Sequence, residues 1–342
     1  MSHRNLSATI KIPRVLKDKL DNKRIISIYK NFEKSLNIKK NFVVAVSGGP
    51  DSLALAFLGK IYSIKNNLSS KFIIIDHRLR PESTKEAIIV KKVLKKMSIH
   101  LEILSWKGKK PSKNIQSLAR KKRYELLFSK SDKLKINNIL IGHHQEDLYE
   151  NFFIRILRGS GLKGLISLDK VVKIGKKNLL RPLIHLKKED LIFISKNVFN
   201  FYITDPSNRD KKYQRIRVRK LINELQKDGL DKKKFNKTIE NLKYSNKVID
   251  YYVRENLEKN SYFSAKKNQL ILNKDFFHNP QEVIFRSFSD VIQMVGKKYY
   301  PVRGKKIDKI INDLENGRIL KVTIGGCIVE KVNETLIISK EH

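Results

Sequence analysis

The chain contains very little cysteine, since Cys327 is the only one among its 342 residues. A single cysteine excludes an intramolecular disulfide, a CxxC redox pair and a zinc cluster built from cysteines, and it fits a reducing compartment. Because Cys327 lies near the C-terminus, away from every motif described below, we expect it to pack as a small apolar side chain rather than to act as a nucleophile.

Long apolar runs are also missing. No window approaches the ~18 apolar residues of a membrane span. The N-terminal stretch through Lys23 is mixed and charged, unlike the apolar core of a signal peptide. The sequence therefore predicts a cytoplasmic protein without a membrane partner.

Acidic residues are scarce relative to basic ones. The chain has 34 Asp and Glu against 73 Lys and Arg, which gives a formal net charge of +39. A field of that sign attracts polyanions, so nucleic acid is the first partner to consider. A lysine-biased genome would produce part of the same excess, and charge alone therefore does not decide the partner.

Short apolar runs alternate with amphipathic stretches in the first half of the chain. The runs cover residues 42–46, 72–75, 101–104 and 139–141, and helical periodicity is found in residues 25–36, 85–97 and 115–134. Runs of this length are typical of buried parallel strands. Their alternation with helices predicts an α/β fold with a doubly wound parallel sheet.

The texture of the sequence changes at about Val218. Lysine-rich helical periodicity follows, as in residues 235–257, and residues 320–338 return to the alternation of strands. We therefore predict a catalytic domain over residues 1–217. The second domain, over residues 218–342, is predicted to be mainly helical and basic, with a small β element at its end.

Six residues between the first predicted strand and the next helix form a candidate phosphate loop: Ser47, Gly48, Gly49, Pro50, Asp51 and Ser52. Doubly wound sheets bind ligands outside the carboxyl ends of their strands. Glycines permit a tight turn and a close approach, while hydroxyls and the N–H groups of a helix start bind phosphate. Asp51 would repel phosphate unless a metal or an arginine lies between them, so it is a candidate ligand for nucleotide-bound Mg²⁺. The alternative is a plain turn capped by Asp51 or Ser52.

The loop is neither a Walker A sequence nor GxGxxG, which argues against a P-loop GTPase and a Rossmann oxidoreductase. Ser-Gly-Gly-Pro-Asp-Ser resembles the signature of the PP-loop ATP pyrophosphatases, which split ATP between its α and β phosphates. That resemblance implies the PP-loop fold, ATP as cofactor and an adenylated substrate. GMP synthetase, asparagine synthetase and tRNA thiolases belong to the same superfamily, so the acceptor stays open at this point.

A second block, His-His-Gln-Glu-Asp-Leu-Tyr-Glu at residues 143–150, follows the last of the four apolar runs. Asp147 and Glu150 are three apart on the predicted helix and share one face. Such a pair could hold Mg²⁺ or a lysine ammonium, and one carboxylate could take a proton from an attacking amine. The alternative is an acidic helix start favoured by the helix dipole.

This block resembles the His-His-x-x-Asp-Gln-x-Glu-Thr motif of the tRNA(Ile)-lysidine synthetases, from which Leu148 and Asn151 depart. Residues 158–165 resemble that family's next block, and the resemblance spans at least residues 44–219. Further matches keep the same order: Asp76-His77, Ala119-Arg120, Arg123-Tyr124, Arg181-Pro182-Leu183, Asp205-Pro206-Ser207-Asn208, and then Arg215, Arg217 and Arg219.

The resemblance implies a ligase that uses ATP to adenylate the C2 oxygen of the wobble cytidine in a tRNA(Ile) with a CAU anticodon. Free L-lysine then displaces AMP, which gives lysidine. Nucleotide binding is assigned to residues 47–52, Asp76, His77 and His143, and the metal to Asp51. The catalytic residues expected are Asp51, Asp147, Glu150, Arg123 and Arg215.

Arginine and tyrosine side chains complete the expected site. Arg123 and Arg215 are expected to contact nucleotide phosphate or the activated base, because a fixed guanidinium stabilises developing charge. For Arg120, a plain position on the helix surface is as good an interpretation as a contact in the site. Stacking on unpaired anticodon bases is a candidate role, beside ordinary packing, for Tyr244, Tyr251, Tyr252, Tyr299 and Tyr300.

Three other functions compete with this interpretation. A PP-loop tRNA thiolase generally relies on cysteines, and this chain has one. A non-catalytic RNA-binding protein on the same scaffold would not need Asp51, Asp147 and Glu150. An amidotransferase-type synthetase would carry a glutaminase domain with its own cysteine. The oligomeric state is left open, a homodimer included.

Overall fold

The computed structural model describes residues 12–108, 115–204, 214–265, 267–297, 302–318 and 320–341. The chain divides into two compact units, Met1–Leu230 and Asp231–His342. Helix α9 (Gln214–Lys227) belongs to the first unit, where it packs against α6 (Gln145–Ile156). The sequence-based boundary after residue 217 falls inside α9.

The first unit alternates strands and helices. Its described helices are α1 (Arg14–Leu20), α2 (Lys23–Leu36), α3 (Pro50–Lys65), α4 (Ser83–Lys96), α5 (Ile115–Lys133), α6, α7 (Leu162–Leu165), α8 (Lys188–Ile194), which continues into a π-helical turn (Ser195–Phe199), and α9. Its described strands are β1 (Phe42–Val46), β2 (Ser70–Asp76), β3 (Leu101–Ser105), β4 (Asn138–Leu140), β5 (Val171–Ile174) and β6 (Lys177–Leu180).

These strands form one sheet in the order β3-β2-β1-β4-β6-β5. All neighbours are parallel except β5, which pairs antiparallel with β6 at the edge. The chain runs from β1 outward to β3 and then returns to β4 on the other side of β1. The order of strands therefore reverses between β1 and β4, and ligands of such sheets bind at that switch point.

Strand β1 is central because both of its faces are apolar. Phe42, Val44 and Val46 belong to one core, with α2, α3 and α4, while Val43 and Ala45 belong to the other, with α5. A continuous apolar run suits a parallel strand covered by helices on both faces. The doubly wound parallel sheet expected from the sequence is confirmed.

The β5–β6 hairpin was not predicted. Ile174 pairs with Lys177 across a two-residue turn whose first residue, Gly175, has a φ of +54°. Glycine takes this left-handed conformation without strain. Each strand has only four residues, and Lys177 and Asn178 interrupt the apolar pattern that would have revealed β6.

The second unit combines helices with an antiparallel sheet. Its described helices are α10 (Lys232–Asn260), α11 (Gln281–Val295) and α12 (Gly304–Glu315), with a 3₁₀ turn at Lys274–Phe277. Its described strands are β7 (Ser261–Ser264), β8 (Gln269–Leu272), β9 (Lys321–Ile324), β10 (Cys327–Val332) and β11 (Thr335–Lys340), in the order β7-β8-β11-β10-β9. The mainly helical region with a terminal β element is confirmed, and the sheet gains β7 and β8.

The turn between β9 and β10 consists of Gly325 and Gly326, both with positive φ, between the paired residues Ile324 and Cys327. Two-residue hairpins of this kind need positive φ, and Gly-Gly supplies it without strain. Cys327 is fully buried among the apolar side chains of this sheet and of α11 and α12. It is packed, as expected.

Within the described segments, none of the helices combines the length and the apolar character needed to cross a bilayer.

Candidate active site

The loops that follow β1 and β4 meet at the switch point of the first unit. Gly142, after β4, lies so close to the loop after β1 that an added Cβ would sit 3.4 Å from the backbone of Asp51 and Ser52. The loops that follow these two strands therefore lie side by side, and their sharing one site stays a prediction. The two loops are in van der Waals contact at Gly142.

The loop of residues 47–52 is held by its own hydroxyls and by a later segment. Ser52 Oγ donates a hydrogen bond to the Gly49 carbonyl (3.0 Å) and accepts one from the Ser47 N–H (3.0 Å). Gly48 has a φ of +85°, and its carbonyl accepts a hydrogen bond from the Ile203 N–H at 2.9 Å. The turn opens directly onto the N-terminus of α3, where Pro50 is the first residue. Such a start binds anions through N–H groups and the helix dipole.

Asp51 is paired with a lysine. Lys188 Nζ lies 2.6 Å from Oδ1 and 2.5 Å from Oδ2 of Asp51. Asp51 was predicted to need a metal or an arginine between it and phosphate, and a lysine ammonium lies on its carboxylate. Lys188 was missed because it follows β6, which was not recognised as a strand.

A closed set of contacts links this ion pair to the loop after β4. His144 Nε2 lies 3.7 Å from Asp51 Oδ2, and His144 Nδ1 lies 2.9 Å from Glu146 Oε2. Glu146 Oε2 in turn accepts the backbone N–H of Lys188 at 3.2 Å. Burial alone would lower the pKa of His144, but the hydrogen bond with Glu146 and the charges of Asp147 and Asp51 raise it above its usual value.

Asp76, which is predicted to bind nucleotide, accepts hydrogen bonds from its own loop and from the start of α4. Its Oδ1 accepts hydrogen bonds from the Arg78 N–H (3.0 Å) and Ser83 Oγ (2.9 Å), and its Oδ2 accepts one from Thr84 Oγ1 (2.7 Å). Burial acts to raise the pKa of Asp76, but these hydrogen bonds hold it below its usual value. Asp76 fixes the loop between β2 and α4 in this way.

Two histidines face the same region in their neutral form. Burial, together with the charge of Arg123, lowers the pKa of His77 to about 4, and His77 Nε2 lies 3.4 Å from Arg123 Nε. Burial also lowers the pKa of His143 to about 3, and His143 Nδ1 accepts a hydrogen bond from Arg181 Nε at 3.2 Å. Both rings are therefore uncharged near neutral pH and can accept or donate one hydrogen bond to a ligand.

A cavity of about 400 Å³ lies over the carboxyl ends of β1 and β2. It brings together most of the residues predicted to bind nucleotide, and its polar lining includes Ser47, Asp51, Ser52, Asp76, His77, Arg120, Arg123 and His143. Apolar side chains also line it, among them Ala45, Ile73, Ile75 and Leu127. A volume of about 400 Å³ is within the range of small-molecule sites, and this lining is about as polar as it is apolar.

Asp147 and Glu150 do not line that cavity but form a second cluster at the start of α6. Asp147 Oδ2 accepts the backbone N–H of His144 at 3.0 Å. Burial acts to raise the pKa of Asp147, yet His144, His143 and this N–H keep it below its usual value. Glu150 is 3% exposed and pairs through Oε1 with Arg219 Nε.

The two carboxylates differ in their electrostatics. Burial raises the pKa of Glu150, and the charge of Asp147 adds to this effect against the opposing effect of Arg219. The second oxygen of Glu150, Oε2, is buried and has no hydrogen-bond partner among the described residues. An ionised carboxylate and a carboxylate with a raised pKa thus lie one turn apart. Arg215, at the start of α9, is near enough for its charge to act on Asp147 and Glu150.

Comparison with known proteins bears on this site. The PP-loop domain family matches residues 19–225. The tRNA(Ile)-lysidine synthase of Orientia tsutsugamushi (strain Boryong) is 34% identical over 315 residues, which cover 87% of this chain and 69% of that protein. The tRNA(Ile)-lysidine synthase of Wolbachia pipientis wMel is 30% identical over 87% of this chain and 70% of that protein. The chain belongs to the tRNA(Ile)-lysidine synthase family.

One solved structure supports the fold. The U34-tRNA thiolase NcsA from Methanococcus maripaludis, a structure with a [4Fe-4S] cluster, is similar with a TM-score of 0.54 and 18% identity. The match covers 64% of this chain and 79% of that one. At this identity the likeness concerns the fold alone. An iron–sulfur cluster held by cysteines needs several of them, and this member of the lysidine synthase family has one.

The two departures from the family motif fall on side chains with packing roles. Leu148 is buried on α6, and Asn151 Nδ2 donates a hydrogen bond to Ser167 Oγ at 3.2 Å. Neither departure alters Asp147 or Glu150. Part of the resemblance to the family lies outside the described residues, namely Asp205, Pro206, Ser207 and Asn208. The same holds for Tyr299 and Tyr300.

Replacing Arg219 with methionine is expected to destabilise the first unit by about 2 kcal/mol, because it leaves the buried Glu150 without its cation. The value is below the roughly 3–5 kcal/mol of a fully buried pair, since the Arg219 side chain is 41% exposed. Urea unfolding at about pH 8 measures the loss. Because the pKa of Glu150 is raised, its neutral form is favoured in the fold, so the deficit should shrink as pH falls below that pKa.

The matched control adds Glu150→Gln to the Arg219→Met chain. The neutral amide removes the unpaired charge, so the double variant should recover most of the lost stability. An equal deficit in both chains would mean that Arg219 acts by packing and that its ion pair with Glu150 is unimportant.

Proposed function

We propose that this chain catalyses the formation of lysidine at the wobble cytidine of a tRNA(Ile) with a CAU anticodon, with ATP and free L-lysine as co-substrates. The observation that carries the proposal is the pairing of a phosphate loop with a separate two-carboxylate cluster in a chain of this family. A cation-binding site beside an adenylation site is what joining lysine to an activated base requires.

The loop and the cavity are proposed to hold ATP. The phosphates would lie over residues 47–52 at the N-terminus of α3, where backbone N–H groups and the dipole favour anions. Arg123 would reach the phosphates or the activated base, and the neutral His77 and His143 would orient the nucleotide. In the first step the C2 oxygen of cytidine bonds to the α-phosphorus, and pyrophosphate leaves.

Mg²⁺ is proposed to arrive with the nucleotide. Among the described residues no group of three or more His, Cys, Asp or Glu could hold a metal by itself. Mg²⁺ bound to a nucleotide needs only one or two carboxylates besides phosphate and water, so Asp51 fits as its single protein ligand. The ion would neutralise phosphate charge there, while Asp51 also keeps its contact with Lys188.

The carboxylate cluster is proposed to bind lysine. Asp147, whose pKa is lowered, would stay ionised and attract the cationic side chain or amino group. Glu150, whose pKa is raised, is the better proton acceptor, because a general base works best with a pKa near the working pH. In the second step the amine bonds to C2, the C2–O bond to AMP breaks, and the proton released from the amine passes to Glu150.

The second unit is proposed to bind tRNA. Tyr244, Tyr251 and Tyr252 are between 50% and 60% exposed on α10, where Lys247 lies over the Tyr244 ring. Exposed aromatic rings beside lysines suit stacking on RNA bases and contact with phosphates. Such a partner agrees with the net charge of +39 and with a cytoplasmic location. A homodimer stays a prediction.

The deciding experiment incubates the purified chain with a tRNA(Ile) transcript that has the CAU anticodon, ATP, Mg²⁺ and isotopically labelled lysine. Nucleoside mass analysis should then find label in a modified cytidine, with one AMP released per modification. A transcript with uridine at the wobble position is the matched control and should take up no label. ATP cleavage without lysine transfer would contradict the proposal and point to another acceptor.

A further inference from the structure

Lys188 lies beside Asp51, the one acidic residue of the loop at residues 47–52. Asp51 lies in the first turn of α3, at the helix start proposed to hold the phosphates, and its charge repels a polyphosphate unless a cation lies between them. Both oxygens of Asp51 are held by Lys188 Nζ, at 2.6 and 2.5 Å. The side chains of Asp51 and Lys188 are 24% and 35% exposed, so an anion can reach the pair from solvent.

The position of Lys188 is fixed by the fold. It is the first residue of α8, and its backbone N–H donates to Glu146 Oε2 at 3.2 Å. The segment that begins at Lys188 also bonds twice to the loop itself: Ser195 Oγ donates to the Pro50 carbonyl (2.7 Å), and the Ile203 N–H donates to the Gly48 carbonyl (2.9 Å). The ammonium is therefore carried by the segment that holds the loop in shape.

We infer that Lys188 is a pyrophosphate-binding residue that neutralises Asp51 and contacts the leaving group of the adenylation step. This inference rests on the proposed function and assigns one more residue to it. When the C2 oxygen bonds to the α-phosphorus, the bond from that phosphorus to the bridging oxygen breaks, and its electron pair leaves with pyrophosphate. The developing charge lies beside the loop, and a preorganised ammonium at Asp51 stabilises it.

Lys188 and the free lysine substrate are thereby assigned to different carboxylates. The ε-ammonium of Lys188 occupies Asp51, so the free lysine of the reaction is directed to Asp147 and Glu150 instead. Loss of Lys188 should therefore weaken pyrophosphate binding without raising the KM for lysine. Loss of a residue at the carboxylate cluster should do the reverse.

The test measures binding of pyrophosphate and of AMP, each with Mg²⁺, to the full chain by calorimetry. In Lys188→Met we expect pyrophosphate to bind roughly 10- to 100-fold more weakly, as for a lost hydrogen bond to a charged group, while AMP binds as before. Lys188→Arg should retain part of the pyrophosphate affinity. The matched control is Lys187→Met, which removes an exposed lysine one residue away and should change neither affinity.

The outcomes are distinct. Unchanged pyrophosphate binding in Lys188→Met would overturn the inference. So would an equal loss of AMP and pyrophosphate binding, because Lys188 would then only maintain the loop. A wild-type chain that binds neither ATP nor pyrophosphate would instead overturn the proposed function, and this inference with it. The KM for lysine in the full reaction is a further readout. A general loss of loop structure would change it, whereas loss of a pyrophosphate contact alone would leave it unchanged.

Discussion

Replacing Asp147 with asparagine is expected to abolish efficient lysine transfer while leaving tRNA adenylation in place. Asparagine keeps the shape of the side chain and an oxygen that can accept the His144 N–H, so the start of α6 should be preserved. What is lost is a partly buried negative charge. Removing one partner of a buried charge pair costs enough to raise the KM for lysine roughly 30-fold or more.

The reason for this expectation lies in the surroundings of Asp147. Burial favours its neutral form, but His144, His143 and Arg215 hold its pKa below the usual value, so Asp147 is charged at neutral pH. These groups also make it a weak proton acceptor. Its contribution is therefore attraction of a cationic substrate, and a neutral amide cannot provide it.

Two measurements separate binding of lysine from activation of tRNA. Pyrophosphate released in a single turnover with tRNA and ATP, without lysine, reports adenylation and should be unchanged in Asp147→Asn. Incorporation of labelled lysine should fall and recover only partly at high lysine. Glu102→Gln, which removes an exposed carboxylate on β3, is the control and should behave like the wild type. Loss of the pyrophosphate burst would place Asp147 in the nucleotide step and contradict the assignment.

Much of the fold was accessible from the sequence because the central strands are apolar on both faces. Residues 42–46 show this best, since alternate side chains of β1 enter the two cores on opposite faces of the sheet. Strands β5, β6, β7 and β8 were missed for the opposite reason. They are only four residues long, and polar residues such as Lys177 and Asn178 occupy positions that the tertiary structure buries or pairs.

The site was predictable where chemistry and local sequence coincide. The loop at residues 47–52 and the carboxylates of α6 are each contiguous in sequence, and the switch point brings their strands together. Lys188 pairs with Asp51 from 137 residues away in the chain, and Arg219 pairs with Glu150 from 69 residues away. Among 73 basic residues, no local pattern distinguishes Lys188 from surface lysines. Arg219 is part of the resemblance to the family, but no local pattern pairs it with Glu150. Only the packing of α8 and α9 reveals the two ion pairs.

Alanine at Gly48 is expected to reduce ATP binding by more than 10-fold and to destabilise the first unit by about 2–3 kcal/mol. Gly48 has a φ of +85°, which an L side chain tolerates poorly. An added Cβ would lie 2.7 Å from Ile203 Cδ1 and 2.8 Å from Val90 Cγ2. Val90 is fully buried and β-branched, so it has little freedom to move. Nucleotide titration and urea unfolding measure the two effects.

Backbone strain and steric overlap can be separated with two further chains. Gly175→Ala also places a side chain at positive φ, +54°, but nothing lies within 4 Å of the new Cβ, so only the strain remains, about 1 kcal/mol. Adding Ile203→Ala to Gly48→Ala removes the nearest atom of the overlap. Partial recovery of ATP affinity in that double variant would show that the segment carrying Lys188 and Ile203 must fit closely against the loop. If Gly48→Ala bound ATP like the wild type, the loop would not be the phosphate site, and the cavity would need another entrance for the nucleotide.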